Sequence, residues 1–233
     1  SPEYKQAAAW ASDKLKEWGL QNVHYDNWAP VGRGWTLKEF SAQVVEPKTF
    51  PIMAYPKAWS PEVGSKKAEV VYLDVKTLDD FEKYKGKLRG KFVLISEPVD
   101  VRAHFTPEGQ RLADSVLLRM ANAEPPAPGR GGRRFQQLFN VQNPDSARML
   151  LRQFAPNMDP AQVERLLYQR FVEPKKLEFV LQEKGIAALN AARGDGGTIF
   201  VQQAAVPQSQ GNIPFQQRIN AYDADPPEIV PQV

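Results

Sequence analysis

The chain has 233 residues, 42 % of them hydrophobic, and its 30 basic and 27 acidic residues leave a formal net charge of +3. This composition supports a folded core, whereas so small a charge argues against a nucleic-acid-binding stripe, and no apolar run reaches the ~18 residues of a membrane-spanning helix. Cysteine is absent and histidine occurs only as His24 and His104, which excludes thiolate chemistry and cysteine-bound zinc.

The first predicted element is an amphipathic helix that ends before Gly19. Ser1 suits the N-cap, Pro2 the first helical position, and Gly19 the position just past the helix. Apolar residues fall on one face of this helix, at Tyr4, Ala8, Ala11, Leu15 and Trp18. In this interpretation the chain opens on a capped helix and not on a secretory signal.

Short extended stretches are predicted next, over residues 22–28 and 40–45, with a tight turn at Gly32-Arg33-Gly34 between them. Four prolines in residues 47–61 then predict a rigid, extended connector. The 5 tryptophans of the chain all lie in this N-terminal part, at Trp10, Trp18, Trp28, Trp35 and Trp59. One helix and two short strands cannot bury that much apolar surface, so we expect the region to pack against a larger partner. The alternative is a stacking platform for sugars or peptides.

A second folded body is predicted from about Lys66 onward. Strands are expected over residues 69–73, 91–96 and 186–190, with a short helix over residues 77–84. Helical stripes occupy the region from about 105 to 176, interrupted by a proline- and glycine-rich loop over residues 124–134. A strand over residues 198–203 and a strand-like segment over residues 229–233 complete the pattern.

His24-Tyr25-Asp26 is the one sequence that suggests a metal site. Residues two apart on a strand share a face, so the imidazole and the carboxylate could reach one ion. Zinc needs a third and a fourth ligand, and His104 is the only other histidine. The polar face of a surface strand explains the motif better, and no metal site is assigned to it.

Three further motifs have structural explanations. Asp79-Asp80 could form a carboxylate pair, but negative charge also stabilises the first turn of a helix. The glycine-rich sequence over residues 194–197 lacks the lysine and the spacing of a phosphate-binding loop, and a turn that uses positive φ explains it. The basic sequence GRGGRR over residues 129–134 is expected to be a solvated loop, not an RNA-binding segment.

Several stretches, taken in order, carry a family resemblance. They are the helix that ends in KEWGLQNVHYDNW, then GRGWTLKEFSAQVVEPKTFPIMAYPKAWSP, then YKGKLRGKFVLISEP, and finally KGIAALNAARGDGGTIFVQ. Together they resemble the N-terminal part of secreted bacterial di-zinc aminopeptidases of metallopeptidase family 28. In that family a protease-associated domain is inserted into the peptidase domain, and the last two stretches are similar to the core of the inserted domain.

The resemblance implies an α+β fold in two parts. Residues 1–60 correspond to a helix-strand segment of the peptidase domain. Residues 61–233 correspond to the protease-associated domain, a β-rich core with flanking helices that carries a helical insertion over about 105–176. It also implies a secreted or periplasmic protein whose partners are the catalytic peptidase domain of the same parent chain and peptide substrates, with neither nucleic acid nor a membrane as a partner.

The chain departs from the family at the zinc ligands. The family's histidine-x-aspartate-serine motif is absent, His24-Tyr25-Asp26 does not match it, and no Glu-Glu pair occurs. No catalytic, cofactor-binding or metal-binding residue is therefore assigned, and zinc is expected only in the catalytic domain. We expect a non-catalytic fragment that shapes access of peptides to the parent enzyme. The alternatives are a self-contained small hydrolase using His24 or His104, and a peptide- or carbohydrate-binding module that uses the early tryptophans.

Overall fold

The computed structural model describes residues 2–26, 32–100, 109–123, 143–194, 197–207 and 218–233, together with residues 103, 105, 107 and 141. The helices are α1 (Pro2–Glu17), α2 (Asp114–Ala121), α3 (Pro144–Phe154), α4 (Pro160–Leu167) and α5 (Glu173–Gln182). A 3₁₀ helix spans Asp79–Tyr84, and a π-helical turn, Tyr168–Val172, joins α4 to α5. The strands are β1 (Gln43–Val44), β2 (Phe50–Pro51), β3 (Val70–Tyr72), β4 (Phe92–Leu94) and β5 (Ala187–Leu189). The predicted α+β class is confirmed at this level.

The central sheet contains β3, β4 and β5 in that order, all parallel, with Val71 opposite Val93 and Val93 opposite Ala188. Each strand lies inside a stretch that the apolar runs predict, although each is only three residues long. The 3₁₀ helix connects β3 to β4, and α5 precedes β5. These two helices meet through Phe81 and Phe179, whose ring centroids are 5.0 Å apart. The sheet and both crossovers thus share the largest apolar core.

The C-terminal segment extends this sheet beyond β5. Ala188 donates its N–H to the carbonyl of Pro231 at 2.8 Å, and Val233 donates to the carbonyl of Ala188 at 3.0 Å. Residues 229–233, predicted to be strand-like, form no strand, and the prediction holds only for a single parallel bridge between Ala188 and Gln232. The strand predicted over residues 198–203 is wrong. Only Gln203 there forms a bridge, and the apolar residues Phe200 and Val201 before it are exposed.

Residues 57–60 connect the N-terminal part to both C-terminal segments. Lys57 donates its N–H to the carbonyl of Gln232 at 2.9 Å, and Ala58 donates to the carbonyl of Gln202 at 2.7 Å. Trp59 packs on a small apolar cluster and has a positive φ of 64°. That cluster consists of Ala204, Val206, Ala221 and Ile229. Such a backbone conformation is unusual for a bulky residue and requires surrounding structure to hold it.

The helices after residue 140 form a small core of their own, built from Ala147, Leu151, Val163 and Leu167. Their starts follow from sequence: Asn143 accepts a hydrogen bond from the N–H of Asp145 at 2.8 Å, and Asp159 accepts one from Ala161 at 3.0 Å. A proline follows each of these N-caps, where its fixed φ is compatible with the first turn. The helical stripe predicted around residues 112–120 does form α2, but α2 buries no side chain among the described residues.

Two boundaries differ from the sequence prediction, and the end of α1 agrees with it. The described residues 22–26 form no strand, since Asn22 has a positive φ of 59° that breaks extended structure. The helix predicted over residues 77–84 is a 3₁₀ helix that begins at Asp79. Gly19 has the positive φ of 86° expected just past a helix, whereas Ser1 lies outside the described residues.

Candidate functional site

The residues of the predicted metal motif do come together, but on the surface. His24 Nε2 lies 3.3 Å from Asp26 Oδ1, and His24 Nδ1 is 2.7 Å from the carbonyl oxygen of Asn22. Both side chains are exposed, and no group of three or more histidine, aspartate or glutamate residues could hold a metal ion within the described ranges. His104 lies outside those ranges. The contact is therefore an ordinary exposed polar pair as far as the described structure extends.

Asp80 closes the start of the 3₁₀ helix, which confirms the structural interpretation of Asp79-Asp80. Its Oδ2 accepts hydrogen bonds from the backbone N–H groups of Lys76 and Thr77 at 3.0 and 2.9 Å. Its Oδ1 pairs with Lys83 Nζ at 2.5 Å. The Lys83 hydrogen bond, followed by these backbone donors, holds the pKa of Asp80 well below its usual range.

The glycine-rich sequence after β5 is a turn where it is described. A Cβ on Gly194 would lie 2.0 Å from the carbonyl oxygen of Thr198, so only glycine fits there. Gly197 has a positive φ of 83°. The positive φ expected of the turn is confirmed at Gly197, whereas Gly194 is constrained only by its close approach to Thr198. Residues 195–196 and the basic sequence over residues 129–134 lie outside the described residues.

Ionisable side chains lie close together at the carboxyl ends of β3 and β4, although no sequence motif predicted a site there. We call this group the carboxyl-edge cluster, and it consists of Tyr72, Asp74, Lys76, Glu97, Tyr168 and Lys176. Lys176 is only 2 % exposed, donates to the carbonyl of Ile95 at 2.9 Å, and has its Nζ 5.3 Å from the centroid of the Tyr168 ring. Its place on the apolar stripe of α5 was the sequence signal that could have revealed it.

The carboxyl-edge cluster is arranged to connect elements of the fold. Lys76 pairs with Glu97 and lies 3.6 Å from Asp74, so the hydrogen bond and charge of Lys76 lower the pKa of Glu97. Burial raises the pKa of Tyr168 to about 12, and burial lowers the pKa of Lys176. The Glu97 carboxylate is therefore a poor base, and the Tyr168 hydroxyl stays protonated at neutral pH. The side chain of Lys176 is buried. The hydrogen bond from Lys176 to the Ile95 carbonyl connects α5 to the segment just after β4.

A second amine ties the N-terminal part to the sheet. Lys57 Nζ donates to Asn190 Oδ1, just after β5, at 2.8 Å. Burial, reinforced by the charge of Arg193, lowers the pKa of Lys57, while the carboxylate of Glu173 opposes that shift. Like Lys176, this lysine holds two segments together that are far apart in sequence.

Exposed aromatic side chains are concentrated in the N-terminal helix and in the residues that follow it. We define the N-terminal aromatic surface as Tyr4, Trp10, Trp18, Leu20 and Tyr25, all of them exposed. Ser12 is the only buried residue of α1, and within the described structure α1 makes no extensive contact with another helix or strand. Trp59 behaves differently: its Nε1 donates to the carbonyl of Arg33 at 2.7 Å, and its ring centroid lies 5.5 Å from that of Tyr222.

Comparison of the chain with protein-family models, with curated proteins and with solved structures gives no match in any of the three. The family resemblance of the sequence therefore stays a prediction. Among the described helices, none combines the length and the apolar character needed to cross a bilayer.

Proposed function

We propose that the chain is the protease-associated region of a secreted or periplasmic zinc aminopeptidase of the family 28 type, and that it does no chemistry itself. In this proposal it docks on the catalytic domain of the same parent chain and shapes the access of peptides to that domain's zinc site. The observation that carries the proposal is the N-terminal aromatic surface, because a group of large apolar side chains this exposed is typical of an interaction site.

The size of the apolar side chains makes docking favourable. Tyr4 and Trp18 lie on the same face of the N-terminal segment, and they are 75 % and 69 % exposed. Burying roughly 100 Å² more of each aromatic side chain contributes about 2.5 kcal/mol per residue at ~25 cal/mol per Å². Two such residues provide enough free energy to hold a helix against a neighbouring domain.

The arrangement of charges supports the non-catalytic part of the proposal. In the carboxyl-edge cluster the lysine and the carboxylates neutralise one another, and the buried amine of Lys176 is bonded to a carbonyl. His24 and Asp26 are both exposed, and neither of them lines the two cavities found among the described residues. Stoichiometric, tight zinc binding by the chain in calorimetry would contradict this part of the proposal, as would peptidase activity that His24→Ala abolishes.

Docking is tested with the peptidase domain that the resemblance places in the same parent protein. We expect Tyr4→Ser/Trp18→Ser to weaken association about tenfold or more, measured by calorimetry on the two purified parts. Lys5→Ser/Lys16→Ser is the matched control on the polar face of α1, and it should change affinity by less than about twofold. Equal effects of the two pairs would refute docking through this face, and a parent gene without a di-zinc ligand set would refute the family.

A peptide- or carbohydrate-binding module is the second candidate, and the exposure of Trp10 and Trp18 favours it. Their indole rings are free to stack on a sugar or a proline. Quenching of intrinsic fluorescence by oligosaccharides or short peptides, lost in Trp10→Ala/Trp18→Ala, would support it. Unchanged fluorescence at millimolar ligand would rule it out.

A further inference from the structure

Two glycine turns follow one another between the 3₁₀ helix and β4. The sequence repeats a four-residue unit, Tyr84-Lys85-Gly86-Lys87 and then Leu88-Arg89-Gly90-Lys91. In each unit the last N–H donates to the first carbonyl, at 3.0 Å from Lys87 to Tyr84 and at 3.1 Å from Lys91 to Leu88. The third residue has a positive φ in both, 70° at Gly86 and 68° at Gly90, as a type II turn requires. We call residues 84–91 the double turn.

The double turn is held rigidly against the end of α5. Leu88, between its two halves, is completely buried in the main core. The Gly86 N–H donates to Glu183 Oε2 at 2.6 Å, and the Gly90 N–H donates to the carbonyl of Lys184 at 3.1 Å. Backbone donors thus fix both glycines, and the cationic side chains that flank them project from a fixed frame.

A cationic groove of about 660 Å³ lies between the double turn and β3. Its charged walls are Lys83, Lys87, Arg89 and Lys91, and its apolar lining comes from Val71 and Tyr84. Two of the cations already have partners: Lys83 pairs with Asp80 at 2.5 Å, and Lys91 pairs with Glu69 at 2.7 Å.

The other two cations of the groove, Lys87 and Arg89, have no ion pair with any residue of the described ranges. They lie two residues apart on either side of the buried Leu88, so both are exposed while the backbone between them is anchored. An ammonium and a guanidinium in this setting provide donors for carboxylates, and the guanidinium can bind one in a bidentate manner.

We propose that this groove binds an acidic segment of polypeptide, whose carboxylates pair with Lys87 and Arg89 while an apolar side chain lies against Val71 and Tyr84. This inference goes beyond the proposed function and does not depend on it. A peptide fits better than a nucleic acid because the apolar lining of Val71 and Tyr84 can contact an aliphatic side chain, which a phosphate backbone does not offer. The volume of the groove is also within the range of sites for small ligands.

The test uses the intact chain and a fluorescently labelled peptide of alternating glutamate and leucine, compared with the same peptide carrying glutamine. We expect the glutamate peptide to bind and the affinity to fall as salt is raised from about 50 to about 300 mM. Lys87→Gln/Arg89→Gln should weaken binding about tenfold or more. Lys5→Gln/Lys16→Gln removes the same total charge from α1 and should weaken it by less than about twofold.

Three results would overturn the proposal. Equal binding of the glutamate and glutamine peptides would mean that carboxylates are not recognised. Equal losses in the two double variants would mean that total charge, not the groove, attracts the peptide. Tighter binding of a short single-stranded oligonucleotide that depends on Lys87 and Arg89 would assign the groove to nucleic acid. Because all four substituted side chains are exposed, circular dichroism should show unchanged folding in both variants.

Discussion

Gln232 is the residue whose replacement tests the packing of this fold most directly. It is fully buried, and its side chain forms two hydrogen bonds with one backbone unit: Nε2 donates to the carbonyl of Ala205 at 2.7 Å, and Oε1 accepts from the N–H of Ala205 at 2.9 Å. Gln232→Leu keeps nearly the same volume but leaves that donor and that acceptor without partners. Each unsatisfied group costs about 1–3 kcal/mol. Because Ala205 is only partly buried, we expect a total loss of about 3 kcal/mol.

Urea unfolding followed by tryptophan fluorescence measures this loss, since Trp59 packs on the cluster beside Ala205 and reports on it. In thermal unfolding, about 3 kcal/mol corresponds to a fall of roughly 6–12 °C in Tm for a chain of this size. Gln203→Leu is the matched control: its side chain is exposed near the same segments, so the change should stay within about 0.5 kcal/mol. An unchanged urea midpoint in Gln232→Leu, or an equal loss in Gln203→Leu, would refute the reasoning.

Three further predictions concern the carboxyl-edge cluster and the turn after β5. Lys176→Met should change the free energy of unfolding by less than about 1 kcal/mol, because removing a buried ammonium offsets the loss of its hydrogen bond to the Ile95 carbonyl. Lys176→Ala should lower the free energy of unfolding by about 2–4 kcal/mol in urea, because the alanine also leaves a cavity. Because the folded pKa of Tyr168 is raised from 10.0 to about 12, its contribution to stability is complete below pH 10.0 and is lost as the pH rises toward 12. In unfolding curves recorded at alkaline pH, Tyr168→Phe should therefore lose less stability between pH 10 and 12 than the unsubstituted protein. An equal loss of stability in both proteins would contradict this role of Tyr168. Gly194→Ala should lower stability by about 1–3 kcal/mol in thermal melts through its clash with the Thr198 carbonyl, whereas Gly34→Ala, with open space around it, should not.

The contacts of Lys57 and Gln232 show how the N-terminal part is joined to the rest of the fold. Lys57 bonds to Gln232 through its backbone and to Asn190 through its amine, and Ser60 Oγ accepts the Gln232 N–H at 2.6 Å. The segment over residues 57–60 is therefore part of the extended sheet. Helix α1 takes no part in these contacts. For this reason Trp10 and Trp18 are exposed, whereas Trp59 is packed within the described structure.

The sequence by itself determines the elements whose causes are local. Apolar runs place β3, β4 and β5, helical spacing places α1 and α3, and proline after an N-cap starts α3 and α4. Glycine marks the turn after α1 and the turn after β5 because only glycine adopts the required backbone at low cost. These strands, helix starts and turns depend on residues only a few positions away, so the sequence pattern alone is enough to predict them.

Only the tertiary structure decides which apolar stripes are buried and which polar groups meet. Residues 198–203 have the pattern of a strand, yet Phe200 and Val201 are exposed and the segment forms only one bridge. Lys176 and Gln232 are polar, yet they are buried because carbonyl and amide groups distant in sequence satisfy them. The groove beside the double turn likewise exists only because β3 and residues 84–91 are brought together by the packing of Leu88. Burial is a property of the whole chain, since it depends on partners that no local window of sequence contains.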